Sequence, residues 1–333
     1  MKFRLLFTLL FCCLLNIAFS QNNEIEALAK RITYGIENDS LKVVAICKWL
    51  MDNIEYDWDN YKREDKTDDC ILPIRILTHK KAICAGYSNF FHELCTFNNI
   101  QSEKISGFAL GISVEDPKKL KNIDDSNHAW NAVKINEKWF LMDVTWADDD
   151  KNPYQYDMEY LWGDPSVFIK KHLPEDPLWQ LLDNPISVKC FLYGENCGDT
   201  LNQKTNFGKL INKELRLDSL TRCYNYYKRS MMFNSENIDV ISSTLYFFQD
   251  RGVQTLGSYY SLKTQKKLSI SSGYSKDSIL AILKKAKKYF EMSFNFSAKI
   301  YHQNGTIKGS PVFYDYNLKE IEKEIILVEQ LYK

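Results

Sequence analysis

The sequence predicts an α+β domain, a cysteine-bearing helix packed on an antiparallel sheet, followed by an α-helical C-terminal domain. Three observations carry this expectation. Tyr87, Phe90, Phe91, Leu94 and Cys95 recur at helical spacing from Cys84 onward. Two strand-like runs, Asn127 to Ile135 and Trp139 to Trp146, flank the short polar turn Asn136-Glu137 and predict a hairpin. After about residue 200 the chain changes to long helical patterns rich in Tyr, Phe and Lys.

At the start, Met1-Lys2-Phe3-Arg4 carries two positive charges and Leu5 to Leu15 is almost wholly apolar. Ala18-Phe19-Ser20 then sets small residues ahead of Gln21. This is the pattern of a signal peptide over residues 1–20, too short to span a membrane. The expected mature start is near Gln21 and the expected localisation is secreted or periplasmic. A core domain over 21–198 and a helical accessory domain over 199–333 follow.

Lys plus Arg and Asp plus Glu both number 43, so no net field points to nucleic acid or an anionic membrane. Aromatic residues make up 14% of the chain, enough for large cores and against disorder. Beyond the leader the cysteines are Cys47, Cys70, Cys84, Cys95, Cys190, Cys197 and Cys223, an odd number. One thiol therefore stays free or pairs between chains, and Cys190 and Cys197 are close enough to bridge the loop between them. Sequence leaves that pairing open.

Glu24 to Ile36 and Leu41 to Asn53 read as helices, with Asp39-Ser40 as the expected cap of the second. Tyr61 to Asp69 reads as a charged loop crossing in front of the cysteine, a connector or one wall of a cleft. The helix from Cys84 sets that sulfur in or beside the first turn. There, unpaired backbone N–H groups and the helix dipole favour a thiolate, the nucleophilic form. Cys95, on the apolar stripe, reads as a core residue. Gln101 to Ile112 reads as a strand with a candidate bulge at Ser106-Gly107. Asp124 and Asp125 in the polar loop that follows have no second ligand cluster at metal spacing, so no metal is expected.

Pairing across Asn136-Glu137 sets residues near 128–131 opposite residues near 142–145, so His128 and Asp143 become neighbours. An imidazole held by a carboxylate beside a helix-start cysteine activates a sulfur nucleophile. Trp130 and Trp146 flank this base. Tyr87, one turn after Cys84, either lines the site or fills the core. The Cys84 backbone N–H is the expected oxyanion donor, with a second from the segment around Tyr56. Tyr56, Tyr87 and Trp130 are thus the candidate substrate-binding residues. His79, His92, His172 and His302 show no partner and read as structural or surface residues.

Cys84-Ala-Gly-Tyr-Ser, His128-Ala-Trp-Asn and Trp139-Phe-Leu-Met-Asp143-Val-Thr-Trp, in that order, resemble the blocks of the transglutaminase-like superfamily. Val43 to Asp57 is similar to its segment before the nucleophile. His172-Leu-Pro-Glu-Asp-Pro-Leu-Trp179-Gln-Leu-Leu is similar to the tail of its bacterial and kyphoscoliosis-peptidase-like branch. The resemblance spans about residues 40–195. It implies a papain-like core and acyl transfer from an amide through Cys84, His128 and Asp143, with hydrolysis favoured in that branch. No cofactor and no calcium site is implied.

In the C-terminal part, Leu215 to Phe233, Ile238 to Asp250, Lys276 to Tyr301 and Leu318 to Tyr332 read as helices, with Asp277-Ser278 as an expected cap. Gly257 to Ile270 reads as a hairpin or loop. Lys284-Lys285 and Lys287-Lys288 read as a solvated face. The expected function is an exported cysteine acyl-transfer enzyme on peptide or protein amides. The alternatives are a cross-linking transglutaminase and a non-catalytic peptide-binding module or scaffold. The partners expected are a protein or peptide substrate and a protein partner held by the helical domain.

Overall fold

A computed structural model describes residues 23–63, 67–111, 126–147, 159–194, 207–235, 237–264, 275–304 and 311–331, without the side chains at 68 and 297–315. The leader, the Asp124-Asp125 loop and Cys197 lie outside these residues. The described residues form two compact units that divide between Lys213 and Glu214.

The first unit opens with α1 (residues 23–32) and α2 (Asp39–Asn53). Val43, Ile46, Cys47 and Leu50 bury one face of α2, as their spacing requires. Its cap is Asn38, whose side chain accepts from the Leu41 N–H, one residue ahead of the expected Asp39-Ser40. Next come β1 (Glu55–Tyr56), the single-turn α3 (Trp58–Tyr61), α4 (Pro73–His79) and β2 (Lys81–Ala82). Parallel pairing of Tyr56 with Ala82 delivers the Tyr56 ring to the start of α5 (Cys84–Phe97).

A five-stranded antiparallel sheet faces α5. Its strands are β3 (Ser102–Ala109), β4 (His128–Ile135), β5 (Lys138–Met142), β6 (Leu161–Gly163) and β7 (His172–Pro174), in spatial order β6-β5-β4-β3-β7. The β4–β5 turn uses Asn136 and Glu137 at φ 48° and 64°, a two-residue primed turn whose twist suits a hairpin. It pairs Asn131 with Met142, and continuing that register sets Asp143 opposite Trp130, two residues from His128.

β4 does not alternate buried with exposed residues. Trp130, Asn131, Ala132 and Val133 are all buried, because the central strand is covered on both faces. Asn131 turns to α5 and donates to the Ser88 and Glu103 carbonyls, while the Ser88 hydroxyl donates to the Trp130 carbonyl. Trp130 points the other way, against Phe168 and His172.

Two glycines mark close approaches. A Cβ on Gly86 would lie 2.1 Å from the Cys70 carbonyl, so the first turn of α5 can seat only without a side chain there. Gly107, opposite His128, would drive a Cβ to 2.5 Å from the Trp130 ring. No bulge occurs at Ser106-Gly107; β3 pairs in register on both sides, and the glycine makes room for the Leu173 carbonyl as well as the indole.

The second expected strand is shorter than its sequence suggests. It stops at Met142, and α6 (Val144–Ala147) follows, because the Asp143 side chain accepts from the Thr145 and Trp146 N–H groups and caps a helical turn. α7 (Pro165–Phe168), α8 (Val188–Tyr193) and α9 (Phe207–Glu214), which runs up to the division after Lys213, complete the unit.

The second unit holds α10 (Ser219–Phe233), α11 (Ile238–Thr264), α12 (Lys276–Asn304) and α13 (Pro311–Leu331). The hairpin or loop expected from Gly257 is helix through Thr264, since Leu256 and Tyr259 continue the buried stripe of Ile241, Leu245 and Phe248. That stripe packs on Ile279, Leu283, Ala286 and Phe290 of α12 and on Ile321 and Val328 of α13. Ser275, rather than Asp277-Ser278, caps α12 by accepting from the Ser278 N–H. Among the described residues no helix is long and apolar enough to cross a membrane.

Candidate active site

α5 begins at Cys84 with Ile83 at its cap position, which offers no side-chain acceptor to the first-turn N–H groups. The sulfur meets the start of β4, where the His128 imidazole and the Ala129 N–H both hydrogen-bond to it. His128 Nε2 lies 2.7 Å from Asp143 Oδ2, which leaves Nδ1 for the thiol. Asp143 Oδ1 accepts from the Thr145 and Trp146 N–H groups at 3.1 and 3.2 Å, so the turn that ends β5 also orients the carboxylate. The three residues expected to act together are therefore in one line, and all are buried.

Burial alone would push the Cys84 thiol up. The hydrogen bond and charge of His128 and the Ala129 N–H outweigh it, against the opposing charge of Asp143, and hold the thiol below its ordinary value. Burial likewise opposes charge on His128, yet Asp143 and Cys84 carry the imidazole up to about 10. Asp143 resists its own burial because both imidazoles hold it well below the usual carboxylate range. Among the described free thiols Cys84 is alone in this. Burial raises Cys47, Cys70 and Cys95, and takes Cys223 to about 11.

The three candidate substrate-binding residues fare differently. Tyr87 is buried with its hydroxyl on the Ile54 carbonyl at 2.5 Å, so of its two readings the core is the one found. Trp130 is 1% exposed and backs the imidazole from 5.9 Å, which leaves no indole surface for a ligand. Tyr56 is half-buried, and its hydroxyl meets both the Cys84 thiol and the Cys84 backbone N–H. Its ring makes a tilted contact at 4.6 Å with Trp58, which is 52% exposed and meets Tyr61 edge-on at 5.9 Å. This aromatic group forms a wall beside the sulfur that residue spacing alone did not reveal.

His172 departs most from expectation. It is neither a surface residue nor without a partner: it is fully buried, and its Nε2 lies 2.9 Å from Asp143 Oδ2, the oxygen that His128 also uses. Pairing with β3 brings β7, and His172 with it, to the sheet end where Asp143 sits. The ligand atoms of His128, Asp143 and His172 all lie within 4.8 Å of one another, a set with metal-binding composition. Two ligands of one zinc ion, however, sit about 3.3 Å apart or more at ordinary bond lengths. The 2.7 and 2.9 Å separations are those of hydrogen bonds.

Cys190 is disulfide-bonded, and Cys197, a candidate partner in the sequence, lies outside the described residues. His79 is exposed near Asp69, and His92 is tied to Ser102. The side chain of His302 lies outside the described residues.

A helix-start cysteine beside a histidine at the start of β4 and an aspartate just past β5 is an arrangement able to activate a sulfur nucleophile. Residues 26–144 match the model of the Transglutaminase-like superfamily, and over that core the chain is similar to kyphoscoliosis peptidases. Mouse (Mus musculus) kyphoscoliosis peptidase is 30% identical over 46% of this chain and 24% of its own length. The human (Homo sapiens) protein is 28% identical over 50% of this chain and 26% of its own. The chain thus spans about a quarter of the length of these relatives. A solved structure described as a candidate cysteine protease from Cytophaga hutchinsonii is 22% identical, covers 37% of each chain and gives a TM-score of 0.30.

Proposed function

We propose that this protein is an exported cysteine acyl-transfer enzyme that acts on peptide or protein amides, with water as the favoured acceptor. The observation that carries the reading is the buried line from the Cys84 sulfur through His128 to Asp143. The thiolate attacks the amide carbonyl and the imidazolium protonates the leaving nitrogen, which releases an amine and leaves a thioester on Cys84. His128 then takes a proton from the incoming nucleophile, and the acid and free thiol result. Asp143 fixes the tautomer throughout. The Cys84 N–H, one of the first-turn donors without an intrahelical acceptor, and the Tyr56 hydroxyl stand beside the sulfur to hold the oxyanion. The exposed Trp58 and the half-buried Tyr56 and Tyr61 supply an apolar wall suited to a peptide.

Hydrolysis is favoured because the mouse and human relatives that match over the core are named peptidases, while a more distant relative is named for a transglutaminase domain. Export is supported by the charged and apolar start of the chain and by the Cys190 disulfide, a bond typical of oxidising compartments.

The test incubates the protein and its Cys84→Ala variant with denatured casein and a fluorescent alkylamine. New peptide N-termini that vanish in the variant would establish a peptidase. Cys84-dependent amine incorporation without cleavage would establish a transglutaminase instead. If neither occurs and both forms bind casein alike, the binding-module reading replaces the enzyme. N-terminal sequencing of the natively expressed protein checks export; retention of Met1 would refute it.

A further inference from the structure

We propose that His172 is a positioning residue of this site, a second imidazole that fixes the Asp143 carboxylate and shares its charge with His128. The inference rests on Cys84 acting as the nucleophile, as proposed above. Asp143 is fully buried and receives four hydrogen bonds: His128 and His172 on Oδ2, the Thr145 and Trp146 N–H groups on Oδ1. The backbone pair holds only Oδ1. The second imidazole instead occupies the very oxygen that holds the base. An acceptor divided between two donors pulls less on each, so His172 tempers the hold of Asp143 on His128.

The surroundings of His172 suit a neutral donor. Its ring is enclosed by Phe168 at 4.3 Å, Trp146 at 4.5 Å, Trp130 at 5.1 Å and Tyr160 at 5.7 Å, with His128 at 5.4 Å. The titratable or charged groups around it are Asp143, His128, Tyr160 and Lys171, whose ammonium turns to the Tyr160 hydroxyl at 2.7 Å. Facing it, α6 and α7 bring only Trp146 and Phe168, and β3 brings Ala109. Burial holds the imidazole below its ordinary value, so the ring carries one proton, and Nε2 commits it to Asp143. Nδ1 is buried without a partner. A purely structural residue at this position would be better served by a ring without that orphan nitrogen. The Nε2–H bond is the reason for a histidine here.

His172→Phe keeps the ring and removes the donor; His172→Gln places a carboxamide N–H near the position of Nε2. The readout is the pH dependence of Cys84 alkylation by iodoacetamide, mapped by mass spectrometry on the whole chain. In wild type a plateau of the thiolate–imidazolium pair gives way to a second rise where His128 loses its proton. Undivided, Asp143 holds that proton more tightly. The second rise in His172→Phe therefore moves up by about one pH unit, a tenfold change in proton affinity. In His172→Gln it stays close to wild type. A plateau with an unmoved second rise in a folded His172→Phe overturns the inference and spares the enzyme reading. Absence of any plateau in wild type overturns both. Should His172→Phe not fold, NMR of ¹⁵N-histidine-labelled wild type decides. Two downfield imidazole Nε2–H signals support the shared carboxylate, and a single one refutes it.

Discussion

Asp143→Asn changes one oxygen to an amide nitrogen and almost nothing in shape, yet the geometry makes it a severe substitution. The Thr145 and Trp146 N–H groups approach from one side, so the carboxamide oxygen must face them. The amide NH2 then meets His128 Nε2 and His172 Nε2, which carried protons at 2.7 and 2.9 Å from the lost oxygen. Donor would face donor, and His128 escapes only by moving its proton to Nδ1, the nitrogen that has to accept from Cys84. Breaking one partner of a buried ion pair costs about 3–5 kcal/mol. That is roughly two to four powers of ten in the population of the thiolate–imidazolium pair. The corresponding Asp→Asn change in a serine protease costs about 10⁴ in turnover for the same tautomeric reason. The assay is Cys84 alkylation at pH 6, where a loss of at least about 100-fold is expected, with reactivity returning only near the ordinary thiol range of about 8.5. An Asp143→Asn protein that alkylates at pH 6 as fast as wild type would refute the reasoning.

Three other outcomes are expected from the same geometry. His128 is raised to about 10 when folded, so its contribution to stability is complete below its unfolded value of about 6.5 and is lost as pH rises through 10. Asp143 is depressed, so its contribution is present above about 3.9 and is lost as pH falls towards its folded value. The Tm gap between wild type and Asp143→Asn should therefore be widest between about pH 4 and 6.5; a gap constant from pH 5 to 10 would count against the pair. Gly86→Ala sets a methyl group 2.1 Å from the Cys70 carbonyl and has to displace the first turn of α5. It should cost about 1–3 kcal/mol in urea unfolding and slow Cys84 alkylation, whereas an unchanged rate would show that the turn yields freely. Phe290→Ala empties a fully buried position that α11 approaches through Gly252, and should cost about 3–5 kcal/mol in the helical unit.

Much of the site was legible because its members lie on elements with strong local signals. The helical stripe from Cys84 and the Asn136-Glu137 turn fix which residues meet, and a two-residue turn leaves no freedom in register. The place of His172 depends on long-range pairing. The three-residue strands β6 and β7 are too short to show a period, so the neighbours of Asp143 on the far side of the sheet stayed invisible. His172 was lost with them. The end of β5 at Met142 was missed because Val144-Thr-Trp146 has strand propensity, and the Asp143 carboxylate overrides it by capping a turn. Trp130 and Tyr87 lie on the right elements, but spacing does not separate a ring that lines a site from one that packs behind it.

The central claim is that Cys84 is a thiolate paired with His128, and competition among the protein's own thiols tests it most directly. The folded protein is treated with limiting iodoacetamide at pH 6, and the modified cysteines are located by mass spectrometry in wild type and His128→Ala. The account predicts alkylation concentrated at Cys84 over Cys47, Cys70, Cys95 and Cys223, and loss of that preference in His128→Ala. Labelling of Cys84 no faster than the half-buried Cys223, or a preference that survives without His128, would contradict it.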